Sequence, residues 1–152
     1  MNKCFRSIFN GGSGDDTIGV PLECEDGESM GKPAPGTTAL QQVEFYQVGK
    51  LGRHILLCAG DNCCTAAEGD AAWGYLKRRV AELGLDREPE SVFRTKCHCL
   101  RICVGGPILV VYPEGVWYGG ATEAGIERIL QEHVLGRKVV EELVIGRGEL
   151  KD

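Results

Sequence analysis

The stretch PILVVYPEGVWYGG, residues 107–120, is the part of the sequence that says most about the fold. Residues 107–112 are a continuous run of aliphatic, β-branched and aromatic side chains, which is typical of a central strand. The PEG of residues 113–115 predicts a turn, because proline and glycine favour turn dihedrals. Residues 116–120 then return as the partner strand of a hairpin.

A strand, a helix and a second strand are predicted before this hairpin. HILLC, residues 54–58, and SVFRTKC, residues 91–97, have the composition of strands. Between them Thr65 and Glu68 match a helix capping box, and Gly84 suits a helix end. One helix face is apolar: Trp73, Leu76, Val80 and Leu83. Two strands joined by such a helix are expected to be parallel, with a right-handed crossover.

A second helix is predicted after the hairpin, from Thr122 as its N-cap to Gly136 as its end. Its predicted buried face consists of Ile126, Ile129, Leu130 and Val134. The segment at residues 138–145, KVVEELVI, is amphipathic, and its pattern does not decide its secondary structure. The order β-α-β then β-β-α predicts the α/β class, with a thioredoxin-like mixed β-sheet and flanking helices.

Composition and charge narrow the classes of function. The 152 residues carry a net charge of -5, which disfavours nucleic acid as a partner and suits steering toward basic patches on a partner. No run approaches the ~20 apolar residues of a membrane helix, so no membrane span is expected. The first residues lack the apolar stretch of a signal peptide. We therefore expect a soluble, cytoplasmic protein.

Changes in composition along the chain predict its organisation. Residues 1–37 are rich in Gly, Ser, Pro and acidic residues, and we expect a disordered N-terminal extension. Residues 38–52 form a bridging segment that suits either a short helix or an edge strand. The domain itself spans residues 53–146, and residues 147–152 form a C-terminal tail.

Eight cysteines are the most informative side chains for function. Cys4 and Cys24 lie singly in the extension, whereas the other six lie in CAGDNCC, residues 58–64, and CHCLRIC, residues 97–103. In a reducing compartment, clustered cysteines indicate metal binding or redox chemistry. Each cluster begins where a predicted strand ends, and the carboxyl ends of parallel neighbours share one sheet edge. We therefore expect the clusters to converge in space.

The cysteine spacings exclude some kinds of site and leave others open. No C-x-x-C occurs, which removes the usual zinc-ribbon pairs and the thioredoxin redox motif. Two loops with two thiolates each suit a [2Fe-2S] cluster, in which each iron takes two protein ligands. The same number of thiolates also suits tetrahedral zinc in an interaction module. A thiol–disulfide redox protein and a set of small buried hydrophobes remain as alternatives.

Three stretches resemble a known family: HILLCAGDNC (54–63), CLRICVGGPILVVYPEGVWYGG (99–120) and GRKVVEELVI (136–145). They are similar to the thioredoxin-like [2Fe-2S] ferredoxins, which are related to the small iron–sulfur subunit of respiratory complex I. The resemblance covers about residues 53–146. It implies a ferredoxin, that is, a one-electron carrier without a catalytic site of its own, often a homodimer, whose redox partner is a reductase or oxidase.

The resemblance also implies a ligand set for the cluster. The ligands carried over onto this sequence are Cys58, Cys63, Cys99 and Cys103. Cys64 and Cys97 are extra thiols beside these positions, and each is an alternate for its neighbour. The x4 spacing of the first pair matches the complex I subunit rather than the stand-alone ferredoxins. The sequence leaves two interpretations of Gly105, Gly106 and Pro107 open: they simply begin the strand, or their small size lets backbone amides approach the cluster sulfurs.

Overall fold

The structure is a computed structural model that describes residues 32–87 and 91–148. Most of the predicted extension, with Cys4 and Cys24, lies outside the described residues, as do residues 149–152. The boundaries of the extension, the domain and the tail therefore stay predictions.

A five-stranded sheet with the strand order β2-β1-β3-β4-β5 forms the centre of the molecule. β1 pairs with β2 in parallel and with β3 antiparallel, and the remaining pairs are antiparallel. The predicted mixed sheet, with the 107–112 run at its centre, is confirmed. The helices and strands in chain order are α1 (Ala39–Phe45), β1 (Leu51–Cys58), α2 (Ala66–Glu82), β2 (Ser91–Cys97), β3 (Ile108–Tyr112), β4 (Val116–Tyr118), α3 (Glu123–Arg128) and β5 (Val144–Arg147).

The bridging segment is helical, which answers the question that the sequence left open. Thr38 and Gln41 form a capping box, in which each side chain accepts a hydrogen bond from the other residue's backbone N–H. Thr38 is the N-cap, and α1 begins directly after it. A short 3-10 turn follows at Val48–Lys50. β1 then begins at Leu51, three residues before the predicted strand, because pairing with β2 extends that far.

The helix α2 begins and ends as predicted. The Thr65 side chain accepts a hydrogen bond from the Glu68 N–H, and the Glu68 carboxylate returns to the Thr65 N–H at 2.9 Å. Gly84, with φ of 66°, follows the helix end in the left-handed conformation. Leu76 and Val80 are fully buried, whereas Trp73 and Leu83 are only partly buried because they lie at the margin of the core.

The predicted second helix is α3 continued by a π-helix at Ile129–Leu135, and Gly136 caps its end. All four residues of its predicted apolar face are buried. The open segment at 138–145 becomes a 3-10 turn at Glu141–Leu143 and then β5, which pairs with β4. A strand this short lacks a clear period of its own, so its pairing with β4 determines its conformation.

The two main helices pack side by side and are joined by an ion pair. The Arg79 guanidinium donates two hydrogen bonds of 2.7 Å to the carboxylate of Glu127, and the Tyr75 hydroxyl donates to the same carboxylate at 2.9 Å. These bonds hold the pKa of Glu127 down at about 2. The helices and the sheet enclose one main core, which includes Ile55, Leu57 and the buried face of α3.

A buried polar network links the start of β1, the turn after β3, β4 and the π-helix. Arg53 contacts Glu114 at 2.7 Å, and its guanidinium also donates to the Val134 carbonyl. The fully buried Tyr118 hydroxyl lies 2.7 Å from Nδ1 of His133. Burial lowers the pKa of His133, with the Glu114 carboxylate opposing this shift. His133 therefore stays neutral in the folded protein near neutral pH.

The element boundaries determine where the cysteines lie. Cys58 ends β1 and Cys97 ends β2, and these two residues are direct neighbours in the parallel register. The predicted convergence of the two clusters at one sheet edge is confirmed. Among the helices of the described ranges, 32–87 and 91–148, none has the length and apolar character needed to cross a bilayer.

We predict that His133 makes the stability of the fold dependent on pH. Below the usual histidine pKa of about 6.5, His133 is protonated in the unfolded chain, whereas the buried ring stays neutral in the folded protein. The free energy of unfolding therefore falls as the pH is lowered. His133→Gln should remove this loss, which amounts to at most about 1.4 kcal/mol per pH unit. Guanidinium unfolding at about pH 7 and about pH 5 measures it.

His54 serves as the matched control, because burial also lowers its pKa. In His54→Gln, the free energy of unfolding should still fall between about pH 7 and about pH 5 by the amount that His133 contributes. An unchanged pH dependence in His133→Gln would contradict the assignment.

Candidate metal centre

Two loops meet at the carboxyl ends of β1 and β2. The first, residues 59–65, follows β1, and the second, residues 98–107, follows β2. The Ala59 N–H donates to the Cys97 carbonyl at 3.4 Å. A Cβ on Gly60 would collide with the His98 carbonyl, so a glycine is needed where the loops touch. The loops are thus held together by backbone contacts next to the cysteines.

A cavity of about 100 Å³ lies between these loops. All four predicted ligands line it: Cys58, Cys63, Cys99 and Cys103. The two extra thiols, Cys64 and Cys97, are absent from its lining. The structure thus brings together four thiols that are separated by up to 45 positions in the sequence, from position 58 to position 103.

The four thiols form two pairs that differ in exposure. Cys58 and Cys63 are both buried, at 1% and 9% exposed, and the Cys58 thiol donates to the His98 carbonyl at 3.8 Å. Cys99 and Cys103 are both exposed. Each loop therefore contributes one pair, and a group held between the pairs would have one side toward the core and one side toward solvent.

The extra thiols have partners of their own. Cys64 is half-buried, and a Cβ placed on Gly69 of α2 would lie 3.3 Å from its sulfur. Cys97 is also half-buried and hydrogen-bonds with Cys58. Cys64 thus lies against α2, and each extra thiol remains beside a predicted ligand, Cys64 beside Cys63 and Cys97 beside Cys58.

Backbone N–H groups approach the sulfurs at positions that the sequence analysis did not single out. The Arg101 N–H donates to Cys99 Sγ at 3.2 Å. The main chain of Ile108 hydrogen-bonds with Cys63 and acts to lower the pKa of that thiol. Arg101 has φ of 66°, a conformation that few non-glycine residues adopt. The sequence carries no signal for this turn, because an arginine is not a typical left-handed residue.

Gly106 contributes through its lack of a side chain. A Cβ at this position would collide with both the sulfur and the carbonyl of Cys63. The neighbouring Gly105 carbonyl accepts a hydrogen bond of 2.7 Å from the Gly120 N–H, which ties the second loop to the end of the hairpin. Gly106 therefore leaves the space that Cys63 occupies, and the predicted approach of backbone amides of these glycines to cluster sulfurs stays a prediction.

Three of the thiols at or beside the site, Cys63, Cys97 and Cys103, have raised pKa values. Burial raises the pKa of Cys63 to about 11, with the hydrogen bond to Cys58 as the next cause. The hydrogen bond with Cys99 raises the pKa of Cys103, and burial adds to it. Burial likewise raises the pKa of Cys97. A metal would have to displace these protons, since thiolates rather than thiols are metal ligands.

A [2Fe-2S] cluster fits this donor set. Four sulfur donors in two pairs supply two thiolates for each of two irons. A small apolar group also surrounds the inner pair: it consists of Ile108, Leu100, Ile102 and Trp117. Such a shell limits the access of water to a cluster.

Comparison with known proteins assigns the chain to a family. A 2Fe-2S ferredoxin of Aquifex aeolicus (strain VF5) is 42% identical over 103 residues, which are 64% of this chain and 92% of that protein. A chain described as a 2Fe-2S ferredoxin of Priestia megaterium is 37% identical over 103 residues, 68% of this chain and 77% of that one. No family model matches the sequence.

Comparison with solved structures gives the same answer. The structure of a thioredoxin-like [2Fe-2S] ferredoxin from Aquifex aeolicus superposes with a TM-score of 0.57 and 25% sequence identity. The match covers 66% of this chain and 96% of that one, and it confirms the predicted thioredoxin-like fold. The chain therefore belongs to the thioredoxin-like [2Fe-2S] ferredoxin family.

Proposed function

We propose that the chain is a one-electron carrier that holds one [2Fe-2S] cluster on the thiolates of Cys58, Cys63, Cys99 and Cys103. One observation carries the proposal: these four thiols, and neither of the extra ones, line a single cavity as two pairs. The membership of the family supports the identity of the cluster.

The cluster, when bound, supplies a reversible one-electron couple. The chain's own residues provide the setting for that couple. The inner pair, Cys58 and Cys63, anchors the site to β1 and the core. The Arg101 N–H donates to Cys99 Sγ, and hydrogen bonds of this kind raise the reduction potential by stabilising negative charge on sulfur. Ile108 and Trp117 exclude water from the inner side.

The partner in this proposal is a redox protein, a reductase or an oxidase, and the chain has no catalytic site of its own. We place the protein in the cytoplasm, where thiols clustered as these are remain reduced and available to iron. We also propose a homodimer, as the resemblance to the family implies. Sedimentation velocity of the purified protein over a range of concentrations tests the oligomeric state.

The first experiment is an ultraviolet–visible spectrum of protein purified without air, with iron, sulfide and zinc assayed on the same sample. We expect broad visible absorption that bleaches on reduction, with about two irons and two sulfides per chain. A colourless protein with bound zinc would support a zinc-stabilised interaction module instead. Thiol–disulfide activity that survives chelation, in protein that takes up no cluster on reconstitution, would support the thiol redox alternative.

We predict that single Cys→Ser changes separate the four ligands from the two extra thiols. Cys58→Ser and Cys63→Ser should lose most of the cluster, because they remove buried ligands that no solvent group can replace. The same change at either residue of the exposed pair should leave a weaker, spectrally altered cluster, since a serine oxygen is a poorer ligand for iron. The iron content and the visible spectrum measure both effects.

The extra thiols provide the matched controls for these changes. Cys64→Ser and Cys97→Ser should each keep the full iron content and an unaltered spectrum. If Cys64→Ser lost the cluster while Cys63→Ser kept it, the assignment in the first loop would be wrong. The corresponding result for Cys97 and Cys99 would overturn the assignment in the second loop.

Gly106 gives a test that leaves every thiol in place. Gly106→Ala should lower the iron content per chain, because the added Cβ displaces the sulfur of Cys63. Gly74→Ala is the matched control, since a Cβ there meets nothing within 4 Å. Equal iron content in the two variants would mean that the position of Cys63 does not limit cluster binding.

A further inference from the structure

The exposed side of the candidate site belongs to one loop. Cys99 and Cys103 are exposed, whereas Cys58 and Cys63 are buried. An electron that enters or leaves over the shortest distance therefore passes the loop that carries the exposed pair. The three residues between the two cysteines, Leu100, Arg101 and Ile102, form the surface that a partner would meet there.

An apolar cavity of about 240 Å³ opens beside this loop. Its walls are Leu100, Ile102, Trp117, Gly146 and Arg147. The first three of these also pack against the buried thiols, so a single layer of side chains separates the cavity from the cysteines.

The apolar surface continues beyond the cavity. Val104, the residue after Cys103, is 78% exposed, and Ile145 on β5 is 49% exposed. Exposed apolar residues that adjoin one another are typical of a site of protein contact. Ile145 lies near the loop, since a Cβ on Gly119 would meet both its side chain and the Gly105 carbonyl.

The second loop, which provides most of this surface, carries positive charge although the chain as a whole is acidic, and the first loop contributes one acidic residue, Asp61, to the lining of the thiol cavity. Although the net charge is -5, residues 91–113 contain no Asp or Glu and carry Arg94, Lys96 and Arg101. Lys96 is bound to Asp70 at 2.7 Å, and Arg147 on the cavity wall is bound to Glu141. Arg101 is exposed and makes no ion pair with the described part of the chain.

We propose that this surface, defined by Leu100, Arg101, Ile102, Val104 and Trp117, docks the redox partner, and that the partner presents an apolar side chain flanked by carboxylates. The apolar side chain would fill the cavity, and a carboxylate would pair with Arg101. The inference rests on the proposed function, since it names the partner chemistry of the same site. A partner with a basic face, which the total charge alone would suggest, fits this surface less well.

The test compares two oxidants of opposite charge on the reduced holoprotein. Ferricyanide is an anion, and mitochondrial cytochrome c is a basic protein; both accept one electron. Arg101→Glu should slow the oxidation by ferricyanide and accelerate the oxidation by cytochrome c, each by about threefold or more at an ionic strength of about 0.1 M. Stopped-flow absorbance of the reduced protein measures both rates.

Opposite responses separate docking from a change in the site itself. A shifted reduction potential would move both rates in the same direction, so it cannot produce the expected pattern. Arg78→Glu is the matched control, because it changes the net charge equally on α2, where Arg78 is 57% exposed and pairs with Glu82. In this control both rates should stay within about twofold of the wild type.

The apolar part of the surface has its own test. The dye anilinonaphthalene sulfonate combines an apolar ring system with an anionic group, as the proposed partner would. Equilibrium dialysis should show that the holoprotein binds the dye, and that Ile102→Asn weakens the binding at least about fivefold, by the loss of apolar contact in the cavity. Arg101→Glu should also bind the dye more weakly than the wild type does. Arg78→Glu should bind it with the affinity of the wild type.

Three results would overturn the proposal. The first is equal effects of Arg101→Glu and Arg78→Glu on both oxidants. The second is dye binding that does not respond to Ile102→Asn. The third is the conversion of a dimer to a monomer by Ile102→Asn in sedimentation velocity, which would assign the surface to a second copy of this chain.

Iron and sulfide content are measured on every variant before the kinetics. If the wild type forms no cluster, the proposed function is wrong, and there is no reduced cluster whose oxidation could be measured. If every variant carries a reducible cluster and the two oxidants respond alike, the electron carrier stands and the docking surface is wrong.

Discussion

The parallel pairing of β1 with β2 is the constraint on which the candidate site depends. It places Cys58 directly beside Cys97, so the loops that follow these residues start from adjacent points on one sheet edge. The crossover through α2 makes that pairing possible, and the buried face of α2 holds it in place. Without this register, the two cysteine-bearing loops would have no reason to share a cavity.

Close backbone contacts then set the detailed shape of the site. Gly60 and Gly106 allow the loops and a thiol to approach more closely than any side chain would permit. The left-handed conformation of Arg101 turns its N–H toward Cys99 Sγ. The site is therefore shaped by chain geometry around the sulfurs as well as by the sulfurs themselves, as the tuning of iron–sulfur centres by hydrogen bonds requires.

The difference in exposure between the two thiol pairs connects the structure with its function. A buried pair gives the site a rigid base, and an exposed pair gives a partner access over a short distance. The loop that carries the exposed pair lacks acidic residues in a chain that is acidic as a whole. Net charge describes long-range steering, whereas the charge within a Debye length of the contact describes docking, and the two need not have the same sign.

The elements with strong local signals could be predicted from the amino-acid sequence alone: the capping box of α2, the central apolar strand, the hairpin and the two cysteine clusters. Local hydrogen bonds, apolar period and turn residues set these, so they are visible without the fold. The fold was needed to show that residues 144–147 form a strand, that Cys64 lies against α2, and that Arg101 donates to sulfur. The strand depends on pairing with β4, which is distant in sequence. The other two contacts are short in sequence, but they depend on how the cysteine loops turn, and no local pattern of residue types encodes that turn.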